Sequence, residues 1–101
     1  MAVVVRTTLI RFRGNAEPAA IEAGLEAMRG FSKLDGVDVI CAGESLDHQA
    51  AADGYTHCVV IRFTDARALE SFGEDPSHLA NVAAMGPLVE GAVMIDVGGG
   101  A

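Results

Sequence analysis

Asp75-Pro76-Ser77-His78 is the stretch of this chain whose residue types and spacing best suit acid–base chemistry. Asp75 reads as a helix N-cap and Pro76 as the first helical residue, where a missing N–H does no harm. His78 then falls in the first turn. The positive end of a helix disfavours imidazolium, and a neutral imidazole is what a general base requires. The alternative is a histidine that only caps or packs against the preceding loop. His57 lies in phase with Val59, Ile61 and Phe63, so it faces the same side as the core. There it would line a cavity and polarise a carbonyl, or else sit as a hydrogen-bonded core histidine. Arg6 shares the inward phase on its own segment. A lone buried arginine is costly, so it meets a carboxylate, binds an anionic group or stays at an exposed strand end, the reading favoured here.

The remaining reactive side chains give weaker signals. His48 belongs to a polar loop with Asp47 and Asp53 and is expected to be solvated. Three histidines without ligand spacing, and with no acidic cluster beside them, predict no metal site. Cys41 and Cys58 lack Cys-x-x-Cys spacing. A hairpin pairing Glu44 with Tyr55 would set them opposite one another as buried thiols on the subunit-facing side, with a cross-strand disulfide conceivable. The closing Gly98-Gly99-Gly100 precedes no helix, so it is no phosphate loop.

The elements that must position these groups follow from periodicity. Val3 to Arg13, Val37 to Glu44, Tyr55 to Phe63 and Ala92 to Val97 read as strands. Helical spacing of Ile21, Leu25 and Met28 predicts a helix over 17–33, entered through Pro18. A second helix starts at Thr64 or Asp65 with Leu69 and Phe72 inward. A third starts at Pro76 and stops at Gly86-Pro87. The order is βαββα(α)β, a ferredoxin-like α+β fold of four antiparallel strands with helices on one face. Residues 1–97 form one domain and 98–101 a Gly-rich tail expected to be disordered. The strands do not alternate cleanly between apolar and polar. The first carries Val5, Thr7 and Leu9 on the face away from the helices, and the third carries Cys58 and Val60 there. A one-sided helix layer leaves that second apolar face open, so it is expected to pack against a second copy of the chain.

Composition narrows the function further. The 101 residues are half hydrophobic, with a mean hydropathy of +0.32, high for so small a domain. Seven basic against fourteen acidic residues give a formal charge of −7, which repels phosphate backbones and anionic membrane surfaces. No apolar stretch is long enough to span a bilayer and no secretory signal is visible, so the expectation is a cytoplasmic protein with reduced cysteines. Four Phe, one Tyr and no Trp leave few stacking surfaces for a planar cofactor, and none is expected.

Several motifs point to one family. Gly54-Tyr-Thr-His57, the strand ending Ile61-Arg-Phe63, the helix through Phe72, Asp75-Pro-Ser-His78, the closing Val93-Met-Ile-Asp-Val97 and the first strand ending Ile10-Arg-Phe-Arg13 resemble the stress-responsive dimeric α+β barrel (Dabb) family. Length and the Gly-Tyr-Thr-His motif are similar to its polyketide cyclases of the olivetolic acid cyclase type. The resemblance implies a homodimer with two sheets closed into a barrel, and His78 as the base that takes a proton from an activated methylene. It departs at Phe72, where the cyclase has tyrosine, at Asp75, where the family pattern has histidine, and near Ala27 and Met28, where a first-helix tyrosine is missing. Those departures remove hydrogen-bond donors that would stabilise an enolate.

The expected site is a small apolar pocket between sheet and helices, with His78 and His57 as its polar points. Arg6, Thr8, Ile10, Leu25, Met28, Val59, Ile61, Leu69 and Phe72 would surround the ligand. The expected activity is cofactor-free proton transfer on a small aromatic or polyketide-like carbonyl compound: cyclisation, isomerisation or a lyase step. A non-catalytic, ligand-binding homodimer with a structural His78 is the alternative.

Overall fold

In the computed structural model of the chain, which describes residues 2–46 and 52–99, four strands form one antiparallel sheet under three helices. Asp47 and His48 lie outside the described residues. The elements run β1 (Val4–Phe12), α1 (Pro18–Arg29), β2 (Val37–Glu44), β3 (His57–Phe63), α2 (Ala66–Glu74), α3 (Pro76–Met85) and β4 (Val89–Gly98). Strand order across the sheet is β2-β3-β1-β4, which is the ferredoxin-like fold expected from the sequence.

The helices end where the chemistry of their termini dictates. Pro18 opens α1, and the chain tightens after Arg29 into a 3₁₀ turn over Gly30–Lys33, so the helix expected over 17–33 is split. Arg29 fastens that end to the sheet: its Nε and Nη2 donate to the Ala42 carbonyl at 3.1 and 2.9 Å. The Asp65 carboxylate caps α2 by accepting from the Ala68 N–H at 2.8 Å. Asn81 and Gly24 join α3 to α1. Asn81 Nδ2 donates to the Gly24 carbonyl at 3.1 Å, and a Cβ on Gly24 would fall 1.9 Å from Met85 Sδ.

The strand phases hold. Ile10, Val59, Ile61 and Phe63 point into the helix layer and form the core with Phe31, Val37, Ala42 and Phe72. The opposite face is apolar and open within the protomer: Leu9, Ile40, Val93, Ile95 and Val97 are all exposed.

Three expectations about the sheet need correction. β4 begins at Val89 rather than Ala92, because a register shift between Arg11 and Phe12 lets Phe12 pair with Val89. It also runs on through Gly98, and the Gly99 N–H donates to the Val3 carbonyl at 3.0 Å, so the first terminal glycines belong to the sheet edge. The cysteines are not opposite each other. Val39 pairs with Ile61 and Cys41 with Val60, so Ile40 is an extra, bulged residue, and Cys58 faces Gly43. Both thiols are free, and Cys41 is exposed within the protomer. Burial, with Cys41 adding to it, pushes the Cys58 thiol up, so it is no activated nucleophile.

Candidate functional site

A single residue joins α2 to α3 and thereby aims His78. The Asp75 N–H donates to the Phe72 carbonyl at 3.1 Å, closing α2. Its Oδ1 accepts from the Ser77 N–H at 2.9 Å and the Ser77 hydroxyl at 2.6 Å, opening α3. The Ser77 hydroxyl and N–H, with His78 nearby, hold the Asp75 carboxyl below the usual carboxylate range.

His78 follows in the first turn, half-buried, its ring 4.3 Å from that of Phe72 and 6.1 Å from that of Phe31. Its Nδ1 lies 3.3 Å from the Gly73 carbonyl. A carbonyl only accepts, so Nδ1 carries the proton in this contact, and in the neutral ring Nε2 then holds the lone pair. The backbone bond and the two phenyl rings fix both the tautomer and the plane of the imidazole.

His78 forms part of the wall of a cavity of about 290 Å³ between sheet and helices. That is near the lower end of small-molecule sites. β1 contributes Arg6, Thr8 and Ile10 to it, and β3 contributes Val59 and Ile61. Val89, Ala92 and Met94 come from β4 and its approach, Met28 and Phe31 from α1 and the turn after it, and Phe72 from α2. α3 supplies Asn81, Val82 and Met85 besides His78. The wall is overwhelmingly apolar, with few polar groups converging on it.

Eight of the eleven expected site residues therefore share one cavity: Arg6, Thr8, Ile10, Met28, Val59, Ile61, Phe72 and His78. His57, Leu25 and Leu69 are not among its lining residues. His57 does face the helix layer, but at the first position of β3, where its ring meets the edge of Phe12 at 4.8 Å and its Nδ1 is 2.8 Å from the Thr56 hydroxyl. Strand phase gave its face correctly, but the cavity lies farther along the strand, over Val59 and Ile61. Leu69 packs against the main core one turn before Phe72, and Leu25 is buried one turn before Met28.

Arg6 is not left at an exposed strand end. It pairs side-on with Asp96, directly across from it on β4, Nε to Oδ1 at 2.7 Å and Nη2 to Oδ2 at 3.0 Å. Its side chain is 17% exposed against 34% for Asp96. The Arg6 guanidinium holds the Asp96 carboxyl below its ordinary value. Asp96 and Asn81 are the two polar residues near the site that the sequence reading passed over. Asn81 stands three residues after His78, on the same helical face, and that spacing was readable.

Among the described residues, no three His, Cys, Asp or Glu side chains come together to hold a metal ion. No helix there is long and apolar enough to cross a membrane.

The sheet order, the one-sided helix layer and the cavity beneath it define a ferredoxin-like α+β barrel domain. The profile of the stress-responsive A/B barrel domain (Dabb) family matches residues 4–98, and the chain belongs to that family. Among solved structures it is similar to a dimeric ferredoxin-like protein of unknown function from Thermobifida fusca, with 18% identity, 95% of this chain and 90% of that one covered, and a TM-score of 0.82. It is similar to a hydroxynitrile lyase from Passiflora edulis, at 17% identity, 95% and 92% coverage and a TM-score of 0.80. A Dabb family protein with a ferredoxin-like fold from Mesorhizobium loti gives 19% identity, 96% coverage of both chains and a TM-score of 0.74. No curated protein matches the chain.

Proposed function

We propose that the protein is a homodimer whose cavities bind a small aromatic or polyketide-like carbonyl compound, and that His78 removes a proton from the carbon beside the carbonyl. The observation that carries this reading is the fixed imidazole on the cavity wall, with Nδ1 held by the Gly73 carbonyl and Nε2 bearing the lone pair. The reaction is of the cofactor-free cyclase, isomerase or lyase kind. Similarity to a lyase of the same fold supports that class, and the sequence resemblance to polyketide cyclases supports the proton-abstraction step. Arg6 offers its remaining N–H groups to the carbonyl oxygen, partly replacing the tyrosine hydroxyl that Phe72 lacks. The exposed apolar sheet face supports the homodimer, as does the dimeric description of a neighbour in fold. A cytoplasmic location fits the unpaired cysteines.

A non-catalytic ligand carrier is the rival reading. Its support is that His78 already has a backbone acceptor and two aromatic neighbours, enough for a purely structural role. Turnover of a panel of activated aryl carbonyl compounds separates the two. With His78→Ala, the catalytic reading expects a loss of about 10²–10⁴-fold in rate while ligand still binds. Unchanged turnover leaves the carrier.

A further inference from the structure

On the cavity wall, Arg6 is the one permanently charged side chain among the described residues. Its charge is already engaged. Asp96 takes Nε and Nη2 in a two-point pair, and Asp96 itself is not part of the wall. An arginine held this way keeps both Nη1 hydrogens and one on Nη2 for other acceptors, but its positive charge is balanced from behind. The rest of the wall offers no second permanent positive charge to offset an anion, since it consists of apolar side chains with Thr8, His78 and Asn81 as the polar exceptions.

We infer that Asp96 is a specificity-determining residue: by neutralising Arg6 it makes the cavity select uncharged carbonyl compounds and reject the matching carboxylates. The inference rests on the reading of the cavity as a ligand site and names its ligand class. The physical reason is desolvation. An anion gives up its hydration on entering an apolar cavity, and that loss is recovered only against an uncommitted counter-charge. Here an entering carboxylate meets only the spare N–H groups of a guanidinium whose charge Asp96 already balances. The formal charge of −7 adds repulsion at longer range. A neutral carbonyl oxygen meets none of these costs. It accepts from an Arg6 N–H while the ion pair stays intact.

Equilibrium dialysis at neutral pH with two probes of one skeleton, 2-acetylnaphthalene and 2-naphthoate, tests this. The intact protein is expected to bind the ketone at least about tenfold more tightly than the carboxylate. Asp96→Asn frees the guanidinium and is expected to shift that ratio toward naphthoate by about tenfold or more. Adding Arg6→Gln to Asp96→Asn removes both charges and is expected to restore the preference for the ketone, a recovery that a merely structural role for Asp96 does not produce. Equal binding of the two probes by the intact protein overturns the inference while leaving the ligand site standing, and this arm needs no variant to fold. Proportional loss of both probes in Asp96→Asn also overturns it. If neither probe binds the intact protein, the ligand-site reading falls and takes the inference with it.

Discussion

Asp75 does three things with one carboxylate and one N–H: it ends α2, begins α3 and sets the turn in which His78 stands. Its folded-state pKa is depressed from the ordinary 3.8. A depressed carboxylate stabilises the fold above its unfolded value, and that contribution disappears as pH falls through the lower folded value. Thermal unfolding of Asp75→Asn should therefore show a lower Tm than the intact protein near about pH 6, and the difference should close toward about pH 2. A gap that is constant with pH would mean the carboxylate's charge plays no part in the cap. Asp96 follows the same sign, through Arg6 rather than Ser77. Such single-residue roles were unevenly visible. The Asp-Pro-Ser-His run announced the cap and the place of His78 in the first turn, since cap chemistry is local. The Arg6–Asp96 pair spans ninety positions, and its contact depends on the β1–β4 register, which no local pattern encodes.

Elements were more legible than their registers. Apolar spacing located all four strands and three helices and gave the face on which Arg6, Thr8, Ile10, His57, Val59 and Ile61 lie. It could not show where along a strand the cavity sits, which is why His57 falls outside the wall while Val59 and Ile61 line it. Nor could it show the bulge at Ile40, or the hairpin register, in which Glu44 faces His57 rather than Tyr55 and Cys41 therefore faces Val60. The approach of α1 to α3 was equally hidden, and it is here that a glycine has a definite task. A methyl group at Gly24 would meet Met85 Sδ, a side chain that is itself buried and lines the cavity. Gly24→Ala is expected to destabilise by about 1–3 kcal/mol despite the better helix propensity of alanine. Adding Met85→Ala should recover part of that loss. Urea unfolding reads both, and a more stable Gly24→Ala protein would show that the helices have room to spare.

At the scale of the whole molecule, the sheet is asked to serve two surfaces at once. One buries the core and roofs the cavity; the other carries Leu9, Val93, Ile95 and Val97 exposed in the protomer. This is where the hydropathy of +0.32 in an acidic, 10.4 kDa chain is spent. Sedimentation at micromolar concentration should give twice the chain mass. Ile95→Lys, which puts an unpaired charge on that face, should weaken the association by at least about 100-fold. A stable protomer at those concentrations would contradict the two-faced sheet. The β1 and β4 wall of the cavity backs directly onto that apolar face.

Whether that cavity is a reaction vessel is decided by the proton beside a bound carbonyl. Deuterium uptake at the methyl carbon of 2-acetylnaphthalene in D₂O can be followed by NMR under conditions where dialysis shows the cavity filled. The intact protein should exchange the methyl protons faster than buffer does, and His78→Gln should lose about 10²–10⁴-fold of that acceleration without losing the ketone. Exchange of the bound ketone at the buffer rate, or at the same rate with and without His78, would contradict His78 as the base.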